Sequence, residues 1–173
     1  MTSNTEASHP FEGRSPLSLD AAVGRRETLR QEGRTLVLTN GCFDLLHVGH
    51  LALLEKASTL ADELWVAINS DSSVRELKGP ERPLQGERER AYLLLCLEFV
   101  DAVFLFDSKR LNDEIRILAP DCYVKGGDYS LATIDQGERF ALEQAGSEIH
   151  FLPFVEGFGT TDLIRRIKGL PEE

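Results

Sequence analysis

Two of the chain's four histidines, His47 and His50, fall three residues apart in GCFDLLHVGH, residues 41–50, directly after the apolar run TLVLTN that ends at Asn40. On a helix that starts near His47 or Val48 the two imidazoles face the same side, one turn apart. Unpaired N–H groups at a helix start, the positive end of its dipole and two imidazole donors make an anion site suited to a polyphosphate. Gly49 keeps the space between the histidines free of a side chain, and Gly41 after Asn40 lets the strand turn and its backbone approach a ligand. No G-x-G-x-x-G follows, so the dinucleotide fingerprint is absent. Phe43 and Asp44 complete the string; Asp44 reads equally well as a turn or cap residue. Cys42 with the two histidines does not have a zinc spacing and lacks a fourth ligand, so no metal ligand is assigned.

Further charge and hydroxyl groups recur in three places. RELKGPERPLQGERER holds Arg75, Lys78, Arg82, Arg88 and Arg90 among four glutamates; by composition it is a solvated loop leading into a helix. VKGGDY supplies Lys125, Gly126, Gly127 and Asp128, and its glycines serve an ordinary strand-to-loop turn as readily as a ligand. EGFGTTDLIRRI sets Thr160 and Thr161 at a helix start, where a hydroxyl can cap the helix, bind phosphate, or do both.

These groups need a scaffold that brings them together. Short apolar runs at 35–39, 64–69, 102–106, 122–125 and 148–152 read as strands buried on both faces. Helical patterns lie between them, with a leading helix in LSLDAAVGRRETLRQEG capped at Ser18 or Asp20 and stopped at Gly33. Its Arg25, Arg26, Arg30 and Arg34 read as a solvated face. Alternating strands and helices give right-handed βαβ units and hence a Rossmann-like α/β three-layer sandwich on a five-stranded parallel sheet. Ligands of such sheets bind outside the carboxyl ends of the strands at the switch in strand order, which puts residues 39–50 at the site.

Composition narrows the function. A chain of 173 residues suits one domain, expected over 17–173 behind a disordered tail at 1–16. The start has no basic n-region or apolar h-region and no run is long enough to span a bilayer, which reads as a protein that is neither exported nor membrane-bound. Three scattered cysteines, Cys42, Cys96 and Cys122, fit a reducing, cytoplasmic setting rather than a disulfide framework. A net charge of −10 repels polyanions at range, so neither nucleic acid nor membrane is expected as a partner, and any phosphate ligand must meet a local cluster of positive charge.

GCFDLLHVGH resembles the G-x-F-D-x-x-H-x-G-H signature of the cytidylyltransferase-like nucleotidyltransferases. TNGCFDLLHVGH, NSDSSVRELKGPERPL and VKGGDY resemble one branch of them, the D-glycero-β-D-manno-heptose 1-phosphate adenylyltransferase domain, which makes ADP-heptose for lipopolysaccharide cores. The likeness runs from about residue 17 to the end of the chain. It implies AMP transfer from ATP to a sugar 1-phosphate with Mg²⁺ as cofactor. His47, His50 and Lys78 become the catalytic set, with Lys78 on a Gly-Pro lid loop. Nucleotide contacts are implied at Asn40, Gly41, Phe43, Gly49, Arg90, Lys125, Gly127, Asp128, Gly159, Thr160 and Thr161; acceptor contacts at Asp44 and Lys78. Gly159 departs from the family's E-G-x-S-T-T, which removes one hydroxyl.

Rival readings are a cytidylyltransferase for glycerol 3-phosphate or a related alcohol phosphate, a noncatalytic nucleotide-binding regulator, and a plain α/β interaction domain. The resemblance also implies a sugar kinase, expected here as a separate chain. A homo-oligomer is open, with the basic leading helix as the surface that would cover a neighbour.

Overall fold

The computed structural model describes residues 13–153, 155 and 157–169. The first part of the expected tail, residues 1–12, lies outside them.

The elements run α1 (Leu19–Gln31), β1 (Leu36–Gly41), α2 (Val48–Ser58), β2 (Glu63–Asn69), α3 (Asp71–Lys78), α4 (Glu87–Leu95), β3 (Ala102–Phe106), α5 (Asn112–Leu118), β4 (Cys122–Gly126), α6 (Gln136–Ala145), β5 (Glu148–Leu152) and α7 (Thr160–Lys168). All five strands are parallel, in the order β3-β2-β1-β4-β5. The order reverses between β1 and β4, so the switch point lies beside the Gly41 turn, where the sequence puts it. Strands β1, β2 and β4 are apolar on both faces because both are covered. Ala22 and Leu29 of α1, Ile115 and Leu118 of α5, and Ala141 and Leu142 of α6 bury one face with Leu36, Leu38 and Trp65. Leu54 and Ala57 of α2 and Ala91 and Leu94 of α4 bury the other with Val37, Val66 and Val124. No helix among the described residues is long and apolar enough to cross a membrane.

At the amino ends of the strands, aspartates take the first backbone donors. Thr35 N donates to Asp62, Leu36 N to Asp121 and Leu64 N to Asp101, at 2.7–2.8 Å. These bonds satisfy groups that a parallel ladder leaves unpaired at its end.

The leading helix departs from expectation. Ser18 Oγ does cap it, accepting from Ala21 N, but not all of these arginines are solvated, although Arg30 and Arg34 stay exposed. Arg26 is 3% exposed; it donates to Leu118 O and Ala119 O and pairs with Asp121. Arg30 donates to Leu118 O, while Arg25 and Arg34 pair with the buried Glu63. The cause is local: α5 ends on Ala119 in the left-handed region, leaving carbonyls that cations satisfy well. Helix α1 is thus fastened to its own sheet.

Candidate active site

The turn that leaves β1 is held from below. Phe43 has φ 47, a costly value for a non-glycine residue that persists only where packing enforces it. Its ring packs over Gly41, where a Cβ would lie 2.9 Å from Phe43 Cε2, and tilts against His50 with centroids 5.0 Å apart. Arg90, from α4, is fully buried beneath the turn. It donates to Cys42 O at 2.6 Å, Asn69 O at 2.8 Å and Gln85 O at 3.1 Å, and pairs with Asp71 at 2.8 Å.

Helix α2 then starts at Val48, with His47 in the N-cap position and no side-chain cap of its own. The His47 and His50 rings stack with centroids 3.8 Å apart and 22° between planes. Burial lowers the pKa of His47. Burial, then the neighbouring His47, pushes His50 down to about 4 against the opposing pull of a hydrogen bond to the Leu45 main chain. Both shifts favour the neutral imidazole, which carries a single N–H donor, and that of His50 faces the Leu45 carbonyl.

Three adjoining cavities of about 310, 330 and 470 Å³ open at this sheet edge, and His50 and Lys78 line all three. Thr160 and Thr161, at the start of α7, line the first and third. The middle one is walled by Asn40, Gly41, Lys125 and Glu138 among others. There Asn40 Oδ1 accepts from Tyr123 Oη and Lys125 Nζ, and Lys125 pairs with Glu138 at 2.8 Å. Lys78 makes no ion pair or hydrogen bond among the described residues, so its exposed ammonium is available to an incoming anion.

Several of the expected contact residues also have structural partners. Lys78 is the last residue of α3, not part of a free loop; Gly79 at φ 98 ends that helix. Sequence reading missed α3 because its eight residues carry only Val74 as a buried aliphatic. The following segment is pinned: Asp44, 3% exposed, accepts from Leu84 N and Gln85 N and pairs with Arg82. Asp44 therefore anchors this loop while also lining the first cavity. Arg90 lines none of the three cavities and holds the turn. Gly127, at φ 121, makes a turn and donates to Leu152 O; the exposed Asp128 does not line them either. The α7 N-cap is Gly159 rather than either threonine. Cys42, His47 and His50 form no metal-ligand group among the described residues.

Lys109 and Arg110, which line the middle cavity after β3, were not singled out by any sequence motif. Their position just past a strand's carboxyl end was the available signal. Glu138 carried none, since its burial depends on where α6 lands.

With this geometry in view, comparison with known proteins is decisive at the level of family. The cytidylyltransferase-like family model matches residues 38–162. The chain belongs to that family. Family membership makes it a nucleotidyltransferase, and the helix-start histidines fall within the matched span. Curated relatives include the bifunctional protein HldE of Koribacter versatilis, 46% identical over 87% of this chain and 32% of that protein. HldE of Syntrophotalea carbinolica is 42% identical over 96% and 35%. The chain thus spans about a third of the length of these relatives. Among solved structures, the lipopolysaccharide core biosynthesis protein from Thermoplasma volcanium is similar with a TM-score of 0.58 and 27% identity, over 71% of this chain and 98% of that one.

Proposed function

We propose that this cytidylyltransferase-like protein is an adenylyltransferase that joins AMP from ATP to a sugar 1-phosphate, D-glycero-β-D-manno-heptose 1-phosphate, forming ADP-heptose and releasing pyrophosphate. The observation that carries the reading is the sharing of His50 and Lys78 by all three cavities, with the starts of α2 and α7 beside them. The heptose-branch motifs supply the substrate.

In the proposed reaction a phosphate oxygen of the sugar 1-phosphate forms the new bond to the α-phosphorus of ATP. The bond from that phosphorus to the β-phosphate bridging oxygen breaks, and pyrophosphate takes the electron pair. The acceptor phosphate is already anionic at neutral pH, so no general base is required; alignment and charge compensation do the work. His47 and His50 donate to the phosphates, and Lys78 offsets charge growing on the leaving group. Thr160, Thr161 and the α7 start flank the triphosphate, with Lys125 and Asn40 as further nucleotide contacts. The loss of a serine at Gly159 leaves backbone N–H groups at that end.

The residues here do not form a cage for Mg²⁺. Asp44 is committed to Arg82 and Glu138 to Lys125, so an ion would arrive bound to the triphosphate, the usual arrangement for this cation. No step is assigned to it. The reaction is read as cytoplasmic, where ATP is available.

The experiment is pyrophosphate release from ATP and from CTP over a panel containing heptose 1-phosphate and glycerol 3-phosphate. Turnover with ATP and the heptose phosphate is expected. Preference for CTP with glycerol 3-phosphate overturns the reading in favour of the cytidylyltransferase, and no release with any pair leaves a nucleotide-binding regulator.

A further inference from the structure

A second cluster of chemically capable side chains lies at the other end of the sheet. Cys122 opens β4, and Glu148 and His150 lie on β5. Cys122 is in register with Glu148 and Val124 with His150. Since side chains alternate along a strand, all three project from one face, the face that α2 covers. One ligand atom from each comes within 4.8 Å of the others. The strand starts are remote from the catalytic turn: Cys122 precedes Lys125 by three residues, about 10 Å along β4.

Two features distinguish this group from a chance meeting of polar residues. His150 Nε2 is buried and has no hydrogen-bond partner among the described residues; Glu148 Oε1 is 3.2 Å away but outside hydrogen-bond geometry. Such an orphaned nitrogen is costly unless something occupies its lone pair or takes its proton. Among the described residues the thiol beside it reaches only Leu60 O, at 3.7 Å, and it packs against the apolar cluster that includes Leu60 and Leu152. A half-buried sulfur, a half-buried imidazole and an exposed carboxylate form the donor set of a borderline-soft divalent ion.

We propose that Cys122, Glu148 and His150 form a zinc-type divalent metal site that staples the edge strand β5 to β4. Binding replaces the thiol proton with the metal: the S–H bond breaks, the sulfur–metal bond forms and one proton leaves to solvent. Thiolate and carboxylate then balance the dication, and a fourth position is left to water. Strand β5 has β4 as its only strand partner and leads towards α7, so the staple would act on the stability of that edge. The inference is independent of the proposed nucleotidyl transfer.

The test uses Co²⁺ as a spectroscopic probe on the untagged full chain carrying Cys42→Ser and Cys96→Ser, which leaves Cys122 as the sole cysteine. A saturable thiolate-to-cobalt absorption band at one equivalent, displaced by Zn²⁺, is expected, together with a Zn²⁺-dependent rise in Tm. Adding His150→Ala should abolish the band while circular dichroism stays native. In the complementary variant, Cys122→Ser with the other two cysteines intact, no band should form. Absence of the band in the single-cysteine chain overturns the site, as does a band that persists in His150→Ala or in Cys122→Ser.

Discussion

Gly49 lies against the His47 ring so closely that a methyl group on it would sit 3.1 Å from both Cε1 and Nδ1, and 3.2 Å from the Phe158 carbonyl oxygen on the α7 side. The glycine of the motif is therefore a spacer between the helix-start imidazoles and the segment entering α7. Gly49→Ala cannot displace both neighbours at no cost, and the imidazole is the more mobile. A misplacement of about 1 Å in such a site costs on the order of 10²-fold in rate. The variant should lose turnover to about that extent with a small change in Tm, measured by pyrophosphate release and thermal melting. Undiminished turnover would mean that the His47 position is not critical.

His50 makes stability depend on pH. Its folded-state pKa, about 4, is below the ordinary imidazole value of 6.5, so between those values the unfolded chain binds more protons than the folded one. The contribution is fully present above pH 6.5 and is lost as pH falls towards 4. At about pH 4.5 the loss is about 2 to 3 kcal/mol, because the two pH units below the unfolded value are each worth ~1.4 kcal/mol. Urea titrations at pH 7 and pH 4.5 of the wild type and of His50→Asn check it: the wild type should weaken more on acidification. Parallel losses in the two proteins would show that His50 is not the group responsible.

Arg90 should behave as a structural residue. Removing a buried guanidinium that holds three carbonyls and a carboxylate leaves those acceptors unpaired, which costs about 3 kcal/mol or more. Arg90→Met and Arg90→Lys should both be destabilised in urea, because a lysine cannot span Cys42, Asn69 and Gln85 at once. A stable Arg90→Lys with poor ATP affinity would return Arg90 to the nucleotide.

Lys78 should give the opposite pattern. Exposed and without a partner among the described residues, it can be truncated to alanine within about 0.5 kcal/mol of wild-type stability. Loss of its charge from the reacting phosphates should lower turnover on the order of 10²- to 10³-fold. Urea denaturation and steady-state kinetics on the same preparation separate the two effects; a destabilised but fully active variant would contradict the assignment.

The contrast between Lys78 and Arg90 shows how far the sequence could be read. Strand runs such as 64–69 and 102–106 were legible because burial on both faces leaves an uninterrupted apolar signature, and this fixed the sheet edge where His47 and His50 lie. Charge was not legible in the same way. Arg26 and Arg90 look like surface arginines in one dimension, yet each is buried because unpaired carbonyls from distant segments converge on it. Asp44 likewise read as a turn residue or a substrate contact, and its partners, Arg82 and the Leu84–Gln85 backbone, lie some forty positions away. A helix as short and polar as α3 has too few apolar residues to register as periodic. Sequence patterns reported what is buried by composition and missed what is buried by partnership.

The attachment of α1 bears on how this protein can be dissected. The family match begins at residue 38, after α1, yet Leu17 bridges to Phe104 on the outer strand β3, and Ala22 and Leu29 fill one layer of the core. A fragment cut at the match boundary would expose that layer, strip the α5 terminus of its arginines and bare the flank of β3. Any excised or transplanted version must take its junction upstream of Leu17.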